Sequence, residues 1–354
     1  MNARFHPEQL PSRGPVSLPA GEADARARRP VTGMRALAIA LFVVACIPAI
    51  GAGGLGGDAE PELYGAGLFS TGAWDFFMAF SPDGSQVLFC RADDEFSRFE
   101  ILETRRTRAA AWSTPVRPRF AREASNADPH VTSDGRRVFF ISNRPRPQDS
   151  ARVERRAYDI WYADRERDGS WGEARYLAGP PNEGRATKWS PSVARNGNLY
   201  FGTARPGGKG GNDLWVSRLV EGRHLPAESL GDSINTPGSE IEPWIARDES
   251  YLIFSATARE DSIGGYDLYL SRRVGGVWQK ARPLPRPING DALDFNPTVS
   301  PDGRWLYFSS TRRRTGDVGR RFDVPRDESR IPGIGNGTGD IYRVRMRAVM
   351  RRPR

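Results

Sequence analysis

The sequence predicts an all-β fold, a β-propeller of five four-stranded blades, with six blades as the alternative. A strand-turn-strand pattern returns five times along the chain, and its turns lie 51 to 62 residues apart. Each period also contains up to four short β-type segments, which is the content of one propeller blade. A repeat of this length built from short strands is typical of propellers.

The five hairpin turns place Asp or Asn in the third position and, in four of them, Gly in the fourth. Asp and Asn bond to the turn backbone, and Gly adopts the positive φ that such turns need. The turns are Ser81-Pro82-Asp83-Gly84, Thr132-Ser133-Asp134-Gly135, Ala194-Arg195-Asn196-Gly197, Ala246-Arg247-Asp248-Glu249 and Ser300-Pro301-Asp302-Gly303.

A third strand begins with Asp, an aliphatic residue and an aromatic residue in four of the five periods. These Asp residues are Asp159, Asp213, Asp267 and Asp340. A residue that recurs in nearly every blade is expected to build the blade, through a turn or a strand-capping hydrogen bond.

The last period has no fourth strand, because the chain passes from Val344 into Arg-rich residues. A surplus segment, residues 61–71, precedes the first period. We expect its strand to complete the last blade and close the ring, which would satisfy edge hydrogen bonds that otherwise invite aggregation.

The composition divides the chain into four regions. Residues 1–33 are polar and rich in Pro and Arg, which predicts a disordered extension. Residues 34–56 form an export signal or anchor, residues 60–346 a single propeller domain, and residues 347–354 a basic tail.

Residues 36–50 are a run of fifteen mainly apolar residues behind Met34-Arg35. This length is typical of a signal-peptide core and short for a membrane span. Val43-Val44-Ala45-Cys46 resembles a bacterial lipobox, so Cys46 is a candidate for lipidation. A cleaved signal, a lipoprotein and an uncleaved anchor all remain open, and each predicts an exported protein that is periplasmic, outer-membrane-associated or secreted.

The repeats resemble the bacterial PD40, or WD40-like, repeats of TolB-type propellers. Ser81–Gly84 and Ser300–Gly303 match the S-P-D-G hairpin of that family, and Thr132–Gly135 is a near match, whereas the turns at Arg195 and Arg247 depart from it. The resemblance covers roughly residues 60–346 and implies the propeller architecture. It also implies a periplasmic interaction module, because TolB-type relatives act in that way.

The inner strands alternate between an apolar face and a polar face. The apolar face contains Pro129, Pro191, Pro243 and Pro297, and we expect it to pack between blades. The polar face is expected to ring the channel mouth and to bind a cation, a sugar or a basic peptide; the alternative is a hydrated channel with internally paired acids. The candidate ligand-binding residues are Asp75, Asp128, His130, Lys188, Glu240, Glu242, Trp244, Asp294 and Asn296.

Charge, composition and missing motifs argue against several classes of function. The formal net charge is +9, but the basic residues are nearly all Arg scattered over every blade, so no nucleic-acid binding is predicted. Neither a metal nor a cofactor is predicted, because a multi-histidine site is not available with His6, His130 and His224 alone. No G-x-S-x-G nucleophile elbow is present.

The predicted function is a non-enzymatic binding module of the bacterial cell envelope. Its expected partner is a protein or an envelope glycan, it is expected to be a monomer, and it would meet the membrane only through its N-terminal signal or lipid anchor. The alternative is a glycan-active hydrolase or lyase, in which the channel carboxylates Asp75, Asp128 and Glu242 would act.

Overall fold

The computed structural model describes residues 59–109, 111–149, 157–313, 334 and 336–351. The predicted extension (1–33), the export signal (34–56) and Cys46 lie outside these residues. In the part of the chain that is described, no helix is long and apolar enough to cross a membrane.

The strands follow one another blade by blade. The first strand, β1 (Glu62–Leu63), precedes the blades. The first blade contains β2 (Trp74–Phe80), β3 (Gln86–Ala92) and β4 (Phe99–Arg105). The second blade contains β5 (Asn126–Val131), β6 (Arg137–Ser142), β7 (Asp159–Asp164) and β8 (Arg175–Tyr176).

The third blade adds a small hairpin to its sheet. Its strands are β9 (Lys188–Val193), β10 (Leu199–Thr203), β11 (Asp213–Ser217), the hairpin β12 (Leu219–Val220) and β13 (Arg223–His224), and β14 (Glu228–Ser229). The fourth blade contains β15 (Ser239–Ile245), β16 (Tyr251–Thr257), β17 (Asp267–Val274), β18 (Val277–Trp278) and β19 (Arg282–Pro283). The last strands are β20 (Asp294–Val299), β21 (Trp305–Ser310) and β22 (Asp340–Arg345).

The sheets are antiparallel and are arranged as the five blades of a propeller. The inner strands β2, β5, β9, β15 and β20 contact one another in that order, and β20 contacts β2 again. The prediction of five blades is therefore confirmed. In the first blade, the fourth strand is reduced to two isolated bridges, Glu103 with Val116 and Arg106 with Trp112.

The N-terminal strand closes the ring. Strand β1 pairs antiparallel with β22, with Leu63 opposite Tyr342. Tyr64 extends this pairing, since its N–H donates to the carbonyl of Ile341 at 2.8 Å. The last blade thus receives its outer strand from the other end of the chain, as predicted.

The hydrophobic core is divided among the five boundaries between neighbouring blades. Between the first and second blades, for example, Leu88 and Ile101 of one sheet pack with Phe140 of the next. Between the fifth and first blades, Tyr307 packs with Phe89. Each sheet is consequently apolar on both faces, and the blades hold one another in place.

Every inner strand contains one β-bulge. The bulge residues have φ values between 48° and 58°, a region that non-glycine residues rarely adopt. They are Phe77, Asp128, Ser190, Glu242 and Asn296. An extra residue reverses the alternation of side chains beyond it.

A short helix follows the last strand. Helix α1 (Met346–Val349) buries Met346, Ala348 and Val349 against the fourth and fifth blades. Its last carbonyls accept hydrogen bonds from arginines of the fourth blade, with Arg282 donating to Val349 at 3.1 Å. The packed part of the chain thus extends beyond residue 346.

Candidate functional site

A cavity of about 400 Å³ lies at the turn side of the propeller, which is the end that carries the inner-strand hairpin turns. Its wall is built by the last residues of the five inner strands, and its rim by their turns. Of the five bulge residues, all of which are described, Phe77 alone lines it. The cavity has the size of a small-ligand site.

Prolines make up much of the cavity wall, which corrects the prediction that they pack between blades. Pro129, Pro191, Pro243 and Pro297 all line the cavity. Consecutive residues such as Pro129, His130 and Val131 line the cavity together, so both faces of an inner strand reach it at this end. The bulge also shifts the residues beyond it to the opposite face. In the first blade, Ala79 consequently shares a face with Phe76 rather than with Asp75.

Two of the predicted site residues, His130 and Trp244, line this cavity. The ring of Trp244 packs on Tyr251, with 5.6 Å between the ring centroids. His130 connects two blades, since its Nε2 accepts the backbone N–H of Val193 at 3.1 Å. Burial lowers the pKa of His130 to about 4, so its ring is neutral near pH 7.

Asp128, Glu242 and Asn296 are brought together by the bulges, away from the cavity wall. A bulge leaves its N–H outside the sheet ladder, and buried N–H groups need an acceptor. Asp128 accepts the N–H of Ser190 at 3.0 Å, and Glu242 accepts the N–H of Asn296 at 2.7 Å. Each carboxylate therefore satisfies the bulge of the following blade.

The same two carboxyls have altered acidities. Burial raises the pKa of Asp128 to about 6 and that of Glu242 to about 8. Their hydrogen-bond donors oppose this effect: Ser190 at Asp128, and Ser255 and Asn296 at Glu242. At neutral pH Glu242 is thus largely protonated.

Asp75, Glu240 and Asp294 lie at the opposite ends of their strands and are fully buried. Each pairs with an arginine from the end of the neighbouring strand or the loop after it, and each accepts the N–H of the residue four positions earlier. The pairs are Asp75–Arg91 at 2.7 Å, Glu240–Arg259 at 3.2 Å and Asp294–Arg312 at 2.6 Å. Because the same contact recurs in three blades, we assign these carboxylates a structural role within the blade.

Lys188 occupies the same strand position in the third blade and is 0% exposed. Its Nζ lies 3.5 Å from the carboxylate of Asp159, which also binds Arg146 at 2.7 Å. Burial lowers the pKa of Lys188 to about 8, although Asp159 raises it. The reversed charge in this blade is thus met by a carboxylate from the preceding blade.

Sequence reasoning did not select Arg195 and Arg247, which line the cavity rim. Both occupy the second position of a hairpin turn, where the S-P-D-G pattern has Pro. Their departure from that pattern was visible in the sequence. What remained hidden was that this turn position faces the channel mouth.

The comparisons with known proteins give distant similarities. No protein-family model matches the chain. Over 251 residues the chain is 25% identical to a Bacillus subtilis protein named uncharacterized peptidase YuxL. The match covers 69% of this chain and 31% of that protein, so the chain spans about a third of the length of this curated relative.

Solved propeller structures are similar at low identity. TolB from Acinetobacter baumannii has a TM-score of 0.43 and 13% identity, over 77% of this chain and 54% of its own. An α-L-arabinofuranosidase from Lactobacillus brevis has a TM-score of 0.45 and 14% identity, over 77% and 90%. An endo-arabinase from Bacteroides thetaiotaomicron has a TM-score of 0.42 and 16% identity, over 70% and 92%. None of them assigns an activity to this chain.

Proposed function

We propose that this protein is a non-enzymatic binding propeller of the bacterial cell envelope, which holds a glycan or protein partner in the turn-side cavity. The supporting observation is the composition of the cavity wall. It combines an aromatic platform of Trp244 and Tyr251, apolar proline rings and polar rim residues around a concave space of about 400 Å³. Such a mixture is typical of ligand sites.

Binding is favoured over catalysis by the positions of the carboxylates. Glycoside cleavage needs two carboxyls on either side of the scissile bond. Among the residues that line the cavity, Asp248 is the one carboxylate, and it accepts hydrogen bonds from Ser250 within its own turn. Asp128 and Glu242 are occupied by the bulge amides.

The proposed location is outside the cytoplasm. Its support is the apolar run of residues 36–50 behind a basic cluster, which is typical of an export signal. Lipidation at Cys46 would tether the propeller to a membrane. Cell fractionation of a Cys46→Ala variant tests this tether, because loss of the lipid should release the protein from the membrane fraction.

The binding function is tested with the full chain and a panel of envelope polysaccharide fragments, followed by calorimetric titration of those that bind. Trp244→Ala should abolish binding, whereas Trp278→Ala, on the outer strand of the same blade, should leave it unchanged. Release of reducing sugar is measured in parallel. Turnover that disappears in Glu242→Gln would replace the binding function with the enzymatic alternative.

A further inference from the structure

We propose that Arg195 and Arg247 form an anion-binding subsite at the rim of the turn-side cavity, and that this subsite recognises the carboxylate of an acidic sugar. The inference deepens the proposed binding function and rests on it. The aromatic and proline wall can contact only the apolar parts of a ligand, and the inference specifies which residues would bind its charged group.

The two arginines occupy equivalent positions in neighbouring blades. Both are the second residue of their hairpin turn, where the other three blades have Pro82, Ser133 and Pro301. The backbone N–H of Arg195 donates to the carbonyl of Arg247 at 2.9 Å. Positive charge is therefore added to one sector of the rim, where two turns touch.

Both guanidinium groups are available to a ligand. The two residues are exposed, and within the described residues neither side chain makes a hydrogen bond or an ion pair. This distinguishes them from Arg91, Arg259 and Arg312, whose side chains are committed to buried carboxylates. The backbones of the two turns touch, and an arginine guanidinium matches the paired oxygens of a carboxylate.

Glu249 holds the two turns in a fixed relation. Although it lies in the fourth blade, its carboxylate accepts hydrogen bonds from Tyr200 Oη at 2.6 Å and Asn198 Nδ2 at 2.9 Å in the third blade. Arg273 of its own blade donates to it at 3.1 Å. A site whose geometry is fixed before binding loses less entropy when the ligand arrives.

The local charge balance also favours an anion. The rim carries Arg195 and Arg247 against one carboxylate, Asp248, which accepts a hydrogen bond from Ser250 and also interacts with the charge of Arg195, so the two arginines exceed the carboxylate by one positive charge. Burial, together with the nearby charge of Arg247, lowers the pKa of His130 to about 4. The imidazole is thus neutral, and the positive charge at neutral pH comes from the arginines.

The cavity wall favours a sugar over a peptide. One position of the wall is contributed by each of the five inner strands, and four of these five equivalent positions are Pro, which has no N–H to pair with a peptide backbone. Phe77 lines the cavity as a bulky apolar residue beside them. The apolar surfaces of the pyrrolidine rings and of the planar indole ring are suited to the apolar face of a sugar ring, with the carboxylate directed to the rim.

The test is calorimetric titration of the full chain with a galacturonic-acid trisaccharide, its methyl ester and a hexapeptide of glutamate. The ester removes the charge and keeps the sugar rings. The variants are Arg195→Gln, Arg247→Gln and, as a matched control, Arg136→Gln. Arg136 is an exposed arginine just after the turn of the second blade, and it does not line the cavity.

We expect the acidic trisaccharide to bind, and the ester to bind at least about tenfold more weakly. Arg195→Gln and Arg247→Gln should each weaken the acid by about tenfold without affecting the ester, and Arg136→Gln should change neither. Equal affinity for acid and ester, or tighter binding of the peptide, would overturn the inference.

The outcomes separate this inference from the proposed function. If Trp244→Ala abolishes binding of both sugars while the arginine variants bind like the wild type, the cavity binds glycans and the anion subsite is wrong. If no ligand binds in a manner that depends on Trp244, the proposed function fails and the subsite fails with it.

Discussion

The carboxylate of Glu242 accepts the backbone N–H of Asn296 at 2.7 Å, and the two residues are the bulge residues of neighbouring blades. The contact satisfies an amide that the bulge removes from the sheet ladder. It also places an ionisable group in a buried position, so the stability of the folded protein is expected to depend on pH.

Glu242 should make the protein less stable as pH rises. Its folded-state pKa is about 8, against an ordinary value of 4.5, because burial disfavours the charged carboxylate. Its contribution to stability is complete below pH 4.5 and declines up to about pH 8, by at most about 1.4 kcal/mol per pH unit. Glu242→Gln should reduce this slope in urea unfolding measured from pH 5 to pH 8.

Asp83→Asn is the control for this slope. Hydrogen bonds from Ser81 and Ser85 lower the pKa of Asp83 to about 2, so it stays ionised in both states throughout that pH range. Its replacement should leave the slope unchanged. A Glu242→Gln slope equal to that of the wild type would show that Glu242 is ionised in the folded protein.

Lys188 and Asp159 should respond very differently to substitution. Lys188→Met should change the free energy of unfolding by less than about 1 kcal/mol, because Asp159 keeps its bidentate arginine partner. Asp159→Asn should cost about 3 kcal/mol or more, since it leaves the buried Lys188 and the half-buried Arg146 without a carboxylate. Chemical denaturation at pH 7 measures both values.

The partly exposed carboxylate Asp164 provides the comparison for that pair. It contacts Arg137 at 2.7 Å on the surface, where water screens the charges. Asp164→Asn should therefore cost less than about 1 kcal/mol. Equal costs for Asp159→Asn and Asp164→Asn would contradict a structural role for the buried cluster.

The ring closure should depend on the aromatic contact beside β1 more than on its ion pair. Tyr64 packs against Tyr307 and Phe69, with centroid distances of 4.9 Å and 5.5 Å. Tyr64→Ala should cost about 2 kcal/mol. Glu62→Gln removes a surface pair with Arg343 and should cost less than about 1 kcal/mol. Urea midpoints in the reverse order would contradict this account.

The architecture could be predicted because it follows from local, repeated signals. Turn residues such as Asp83 and Gly84 determine the hairpins, and the missing last strand together with the surplus segment 61–71 indicated the closure. These features depend on neighbouring residues alone. They survive wide divergence between repeats, which is why five blades could be counted from one sequence.

The site could be predicted only in part, because the bulges carry no sequence signal. Asp128 and Glu242 adopt positive φ without being glycine, so nothing in their identity indicates an interrupted alternation. The side chains beyond each bulge were therefore assigned to the wrong face. His130 and Trp244, each of which breaks the pattern of its own position around the ring, do line the cavity, and their role in ligand binding stays a prediction.

Glu249 should show the cost of its backbone conformation when it is replaced. It has φ of 58° where the other four turns have Gly, and a side chain at such a position is strained by about 1 kcal/mol or more. Both Glu249→Ala and Glu249→Gly lose the hydrogen bonds to Tyr200 and Asn198. Glu249→Gly alone relieves the strain, so it should be more stable than Glu249→Ala by about 1 kcal/mol in urea unfolding.

Both variants should also bind the acidic trisaccharide more weakly than the wild type, because the turns of Arg195 and Arg247 would no longer be fixed. Equal stability of the two variants would mean that the turn has relaxed around the side chain.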